Sequence, residues 1–211
     1  MWVIIPVKRL EHSKLRLAGV LTPDQRRQLS LRMLEDILGV LAGSSPVGGV
    51  TVVSCDTDVM ELARAKGVDV LDTGTDGGYA ADVLKGIKHI TGKSAHKTLI
   101  IPADVPELEE RDLVYLDRVH REGVTLCPAA NDGGTNGLVF TPPLAMELKY
   151  GENSFEEFRR EAEQRRIPFN VVKPTGLARD MDLPDDLHAL RKQSGANRTW
   201  RYLRSLESID R

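Results

Sequence analysis

The feature that most constrains the fold is an alternation. Seven short apolar runs, WVIIPV, VTVVSC, VDVL, KTLIIPA, GVTLCPA, NGLVFT and PFNVVK, are separated for most of the chain by stretches with helical spacing. Apolar runs of that length, bounded by turn formers, read as strands buried on both faces. The clearest helix spans 23–41, where Met33, Ile37 and Leu41 form a stripe flanked by Leu34 and Leu38. Its start is marked three times over: Thr22 can cap, Pro23 suits the first helical position, and Gln25 completes a capping box. Further helices are predicted over 58–66, 79–90, 109–122, 154–165 and 184–193. Strands alternating with helices imply a mostly parallel sheet covered by helices on both faces. Around CPAANDGGTNGLVF the two strands stand too close for a crossover helix, so a small antiparallel insertion is expected there.

The expected organisation is a single α/β domain over 1–193 with a helical tail over 194–211, a size well suited to one hydrophobic core. The tail, NRTWRYLRSLESIDR, is amphipathic; it closes the domain or packs on a partner, and TWRYLRSL offers a homodimer contact. Lys plus Arg number 29 against 31 Asp plus Glu, a net charge of −2, which argues against a nucleic-acid partner while leaving room for a local basic pocket. Cys55 and Cys127 stand singly in apolar runs and read as core thiols, in keeping with a reducing cytoplasm. MWVIIPVKRL is too short an apolar run for a signal peptide and no segment could span a bilayer, so no membrane partner and a cytoplasmic location are expected.

Two glycine-rich stretches mislead. GIKHITGKS has five residues between Gly86 and Gly92 where a phosphate loop needs four, and it precedes a strand instead of following one. It reads as a helix end capped at Gly92. GSSPVGG lacks the glycine spacing of a dinucleotide fingerprint and reads as a turn.

In open α/β sheets, ligands bind beyond the carboxyl ends of the strands. Asp104 follows TLIIPA and so lies at that edge; alternatively it serves a turn between Pro102 and Pro106. Asp180 and Asp182 flank Met181, and an extended backbone would turn both carboxylates to one side. Two converging carboxylates repel unless a cation sits between them, and magnesium with bound phosphates is a natural occupant. The competing role for Asp182 is to cap the helix beginning LPDDL, since Leu183 has no capping side chain. After the first strand, Lys8, Arg9, Lys14 and Arg16 place four cations within nine positions, a local site for a polyphosphate. Lys8 and Lys14 act there as point charges and Arg16 as a bidentate fork, unless the run is simply a solvated loop. His12 reads as an exposed loop residue.

Taken in order, IPVKRLEHSKLRL, PADVP, DGGTNGLVF, GENSF and ARDMDLPDDL resemble the 2-phospho-L-lactate guanylyltransferase family, including its phosphoenolpyruvate and 3-phosphoglycerate variants. The resemblance covers roughly Met1 to Leu190. It implies a nucleotidyltransferase fold like that of glycosyltransferase A enzymes, and transfer of GMP from GTP to a small phosphorylated carboxylic acid in biosynthesis of the deazaflavin coenzyme F420. GTP and that acid are then the partners, with Mg2+, two ions, as cofactor. It further implies Asp104, Asp180 and Asp182 as metal ligands, Lys8, Lys14 and Asp104 as catalytic groups, and Lys8, Lys14, Arg16 and Gly78 on the nucleotide. Thr135, Asn136, Gly151 and Ser154 would hold the acceptor, the glycines of DGGTN letting backbone N–H groups approach an anion. SFEE is also a capping box, so Ser154 is expected either to cap a helix or to meet the ligand.

The chain departs from the family in three places: Gly78-Tyr79-Ala80 stands where Gly-Leu-Asn is usual, Leu15 replaces a small hydroxylated residue, and Glu152 enters a more glycine-rich acceptor loop. Two other functions stay open, a nucleotidyltransferase acting on a sugar phosphate or pterin cofactor, and a non-catalytic nucleotide-binding domain.

Overall fold

The computed structural model describes residues 1–93, 96–151, 153–193 and 195–206. Seven strands, β1 (Trp2–Pro6), β2 (Gly49–Ser54), β3 (Asp69–Asp72), β4 (Thr98–Ile100), β5 (Val124–Pro128), β6 (Thr135–Phe140) and β7 (Phe169–Val171), form one sheet in the order β3-β2-β1-β4-β6-β5-β7. Each of the seven apolar runs supplies one strand. β1, β2, β3 and β4 pair in parallel, as do β5 and β7, while β6 runs antiparallel to both of its neighbours. The expected antiparallel insertion is therefore this single reversed strand, inserted between β4 and β5.

The helices α1 (Pro23–Ala42), α2 (Thr57–Ala65), α3 (Tyr79–His89), α4 (Glu110–Val119), α5 (Ser154–Gln164), α6 (Pro184–Lys192) and α7 (Arg198–Ser205) fall within a few residues of their sequence positions. The capping box at Thr22 and Gln25 forms as the sequence predicts. α3 ends before Gly92, which takes a left-handed φ of 90°. Gly92 and Lys93 thus follow the end of a helix, and Lys93 turns back to Asp69 at 2.7 Å.

Alternation along the strands builds two cores from one sheet. Val3, Ile5, Val52 and Leu99 face Leu34, Ile37 and Leu38 of α1, Val59 of α2 and Leu113 of α4. On the other face, Ile4, Val53, Ile100, Leu126 and Phe140 meet Val83 of α3 and Phe158 of α5. A third cluster gathers Leu17, Leu29, Met33, Met181, Leu187 and Leu203, so α1 packs both on the sheet and on α6 and α7. α7 docks through Asp36 of α1, a carboxylate 9% exposed. It accepts hydrogen bonds from Arg198 N (2.9 Å), Thr199 N (2.8 Å) and Thr199 Oγ1 (2.7 Å). The tail helix therefore closes on its own domain. Both cysteines are free; Cys127 is buried as expected, whereas Cys55 is only partly so. No described helix is long and apolar enough to cross a membrane.

Candidate active site

The carboxyl ends of β1 and β4 open onto a cleft of about 240 Å3, walled by Lys8, Ser13, Lys14, Gly78, Asp104 and Asp182 among others. The basic loop reaches it because apolar anchors hold both ends of the loop. Leu10 and Leu17 are 2% and 0% exposed, and Leu10 N donates to Asp56 Oδ2 at 2.9 Å. Between the anchors Lys14 adopts a left-handed backbone, φ 55°, a conformation that few non-glycine residues hold without support from their surroundings. Leu15 and Arg16 turn outward, each more than half exposed. His12 is exposed, as its sequence context suggested.

Asp104, Asp180 and Asp182 come together. One oxygen from each lies within 4.8 Å of the others. Between the pair, Met181 turns into the third core, 3% exposed, and its N–H bonds the Asp104 carbonyl at 2.9 Å. Asp182 does not cap α6. Asp186, one turn into the helix, accepts from the N–H of Asp182 (3.0 Å) and of Leu183 (2.7 Å), which leaves the Asp182 carboxylate to face the cleft.

Lys14 stands among these carboxylates, where the sequence placed it out on the phosphates. Its Nζ donates to Asp104 Oδ2 and, at 2.8 Å, to Asp182 Oδ1. Burial opposes its charge most strongly, yet Asp104 and Asp182 together hold its pKa above the ordinary lysine value. Asp182 titrates below the usual carboxylate range: burial raises it, but Lys14, then Arg16 and Lys8, outweigh that. Asp180 shifts the other way, to about 6, through burial and then through the neighbouring Asp104, Asp182 and Asp132. Asp104 Oδ1 is buried with no hydrogen-bond partner among the described residues. Three oxygen donors, one raised pKa and one orphaned carboxylate oxygen fit a hard divalent cation.

The residues expected to hold the acceptor form a second cluster next to this one. Asp132 Oδ1 accepts from Gly134 N at 2.8 Å, and Gly133 takes φ 70°, closing the turn. The β5–β6 register then slips: Cys127 pairs with Gly137 but Pro128 pairs with Thr135, leaving Asn136 as the extra residue. A bulge of this kind re-aims a side chain. Asn136 Nδ2 is buried and unpartnered among the described residues. Ser154 is 2% exposed and is the first residue of α5, with Asn153 in the left-handed cap position. Its hydroxyl donates to Thr135 Oγ1 at 3.3 Å instead of capping the helix, so of the two roles read from SFEE the cap is not the one it takes. Gly151, φ 141°, accepts from Ser154 N at 3.1 Å. Glu152 lies outside the described residues.

Sequence reasoning missed Asp132, whose DGG context reads only as a turn, and Asp82, 3% exposed in the cleft wall and paired with Lys85 at 3.1 Å. Gly78 is where it was expected, at the start of α3 with φ 85°, its N–H on Asp76 Oδ1 at 3.2 Å. Tyr79, the residue that follows, also lines the cleft.

The fold is shared with solved nucleotidyltransferases. A Methanothermobacter thermautotrophicus nucleotidyl transferase superposes with a TM-score of 0.64 at 14% identity, over 97% of this chain and 98% of that one. Sequence relatives are closer. A phosphoenolpyruvate guanylyltransferase of Roseiflexus castenholzii is 37% identical over 97% of this chain and 94% of its own. A 2-phospho-L-lactate guanylyltransferase of M. thermautotrophicus is 33% identical over 96% and 89%. A 3-phospho-D-glycerate guanylyltransferase of Colwellia psychrerythraea is 35% identical over 89% and 90%. The profile described as "Guanylyl transferase CofC like" matches residues 1–210, so the likeness runs on through the tail that the motifs alone left unmatched. The chain belongs to the CofC-like guanylyl transferase family.

Proposed function

We infer that the protein transfers GMP from GTP to a small phosphorylated carboxylic acid, phosphoenolpyruvate, 2-phospho-L-lactate or 3-phosphoglycerate, in the biosynthesis of coenzyme F420. The observation that carries this reading is the meeting of three carboxylates and Lys14 at the sheet edge, next to the Thr135–Ser154 pair. An oxygen of the acceptor phosphate attacks the α-phosphorus of GTP. As that P–O bond forms, the bond to the bridging oxygen breaks, and pyrophosphate leaves with the electron pair. No protein nucleophile is needed, because the acceptor phosphate is already ionised near neutral pH. Catalysis is then alignment and charge cancellation.

Asp104, Asp180 and Asp182 would hold magnesium, which supplies positive charge where the phosphates of the two substrates meet. Lys8 and Arg16 reach the triphosphate from the outer wall of the cleft. Lys14 exchanges a carboxylate for a phosphate oxygen as the nucleotide arrives. The first turn of α3, just beyond Gly78, presents its N–H groups to the nucleotide. Thr135, Asn136, Gly151 and Ser154 orient the acceptor by its phosphate and carboxylate.

The test is pyrophosphate release from GTP and Mg2+ with each of the three acids separately, then with CTP, ATP and UTP in place of GTP. Release with GTP and one acid is the expected result. Release only with another nucleotide would transfer the reading to a different nucleotidyltransferase, with the missing amide at Ala80 as the first residue to restore. Folded protein that releases nothing but still binds GTP would make it a non-catalytic domain.

A further inference from the structure

Asn136 Nδ2 is not the only unpartnered polar atom on the acceptor side. The Tyr150 hydroxyl is shielded from solvent and has no hydrogen-bond partner among the described residues. A tyrosine hydroxyl without a partner destabilises a fold, where phenylalanine in the same space would not. Such atoms are uncommon and call for a reason.

The ring itself is fixed by packing. Tyr150 meets Tyr79 edge to face, centroids 4.6 Å apart, and meets Phe158 in the same way at 5.1 Å. Tyr79 lines the cleft together with Asp104. Phe158 lies one turn beyond Ser154 on α5, and Tyr150 immediately precedes Gly151. The ring therefore stands between Tyr79 in the cleft wall and Phe158 of the helix that Ser154 begins. The Tyr79 hydroxyl is pushed well above the usual tyrosine range by burial first, and then by Tyr150 and the Asp104 carboxylate.

We propose that Tyr150 is an acceptor-binding residue, its hydroxyl donating a hydrogen bond to the phosphate or carboxylate of the small acid held between Asp104 and the Thr135–Ser154 pair. The inference rests on the reading above, which places an anion there. That anion completes a donor that the fold leaves unmet, and the stability given up in the free protein is recovered on binding. Two flanking aromatic rings fix the hydroxyl beforehand, so little side-chain freedom is lost when the acid arrives.

Tyr150→Phe keeps the ring and removes only the hydroxyl. The expected result is a KM for the acceptor raised about tenfold, the size of one hydrogen bond to a charged group. The KM for GTP and kcat should stay near the parent values, as for an interaction made equally in ground and transition states. The melting temperature of the free variant should hold or rise. A structural role predicts the reverse, a lower melting temperature with acceptor KM unchanged. An unchanged acceptor KM overturns the proposal, and so does a raised KM accompanied by a falling melting temperature or by an equal rise for GTP. The parent enzyme serves as control: if it turns over none of the three acids, the functional reading fails and the inference fails with it. If it turns over one while Tyr150→Phe behaves as parent, only the inference fails.

Discussion

Asp180 and Asp182 are two residues apart and titrate in opposite directions. The difference lies in their neighbours: Lys14 is bonded to Asp182, whereas Asp180 is half-buried among carboxylates. A carboxyl raised from 3.8 to about 6 binds its proton more tightly in the folded chain than in the unfolded one. Its contribution to stability is complete below about pH 4 and is lost as pH rises through about 6. Asp180→Asn removes that loss. In a chelator, the variant should melt above the parent at pH 8 and level with it below pH 4, by thermal scans at both; a lower melting point at pH 8 would count against the carboxylate cluster as described. Turnover should move the other way. Asp104→Asn and Asp180→Asn should each lose a hundredfold or more in pyrophosphate release, the scale of one preorganised electrostatic contact. A near-parent rate in either would remove that residue from the site.

At the scale of elements, helices and strands could be read from sequence because their signals are local. Thr22, Pro23 and Gln25 lie within one turn of each other, and so the capping box forms as read. Contacts between distant residues could not be read that way. LPDDL looks as if Asp182 caps α6, but its carboxylate stays in the cleft, and Asp186 instead reaches back from the first turn to the N–H groups of Asp182 and Leu183. SFEE looks like a capping box, but Asn153 takes the left-handed cap conformation and Thr135, from β6, draws off the Ser154 hydroxyl. The register slip that sets Asn136 apart depends on how β5 pairs with β6, and NDGGTN carries no mark of it. Asp36 is a similar case, since Arg198 and Thr199, its partners, lie more than 160 positions away. Replacing it by Ala strands two backbone N–H groups and a hydroxyl in a buried joint. Asp36→Ala should therefore lose about 3 kcal/mol of stability in denaturant titrations. Limited proteolysis should then cut first at the released α7.

Over the whole molecule, the sheet brings stretches far apart in sequence to one edge: the loop after β1, the end of β4, the start of β6 and the segment before α6. The fold class was legible because strand and helix patterns alternate over the whole length. The strand order was not, because nothing in NGLVFT says that it will be inserted beside β4. A site assembled from four such stretches should stabilise the whole domain when filled. GTP with Mg2+, at a hundred times its dissociation constant, would add about 2.7 kcal/mol, or a melting temperature higher by about 5 °C or more. GTP in EDTA should raise it far less, and equal shifts with and without Mg2+ would argue against metal at the carboxylates.

The reversal of β6 has a consequence for how such an enzyme can change. Because β6 runs against β4, its first residues, Thr135 and Asn136, emerge at the edge where β4 ends. Lys8, Lys14, Gly78 and Asp104 belong to the chain before that reversal, while Thr135, Gly151 and Ser154 come after it. Only Asp180 and Asp182 return to join the earlier half. Under the proposed function, the two substrates fall to successive lengths of one polypeptide. Mutations between about 131 and 158 can remodel the recipient pocket while the nucleotide apparatus is inherited intact, a modularity that suits a family whose relatives are named for three different acids.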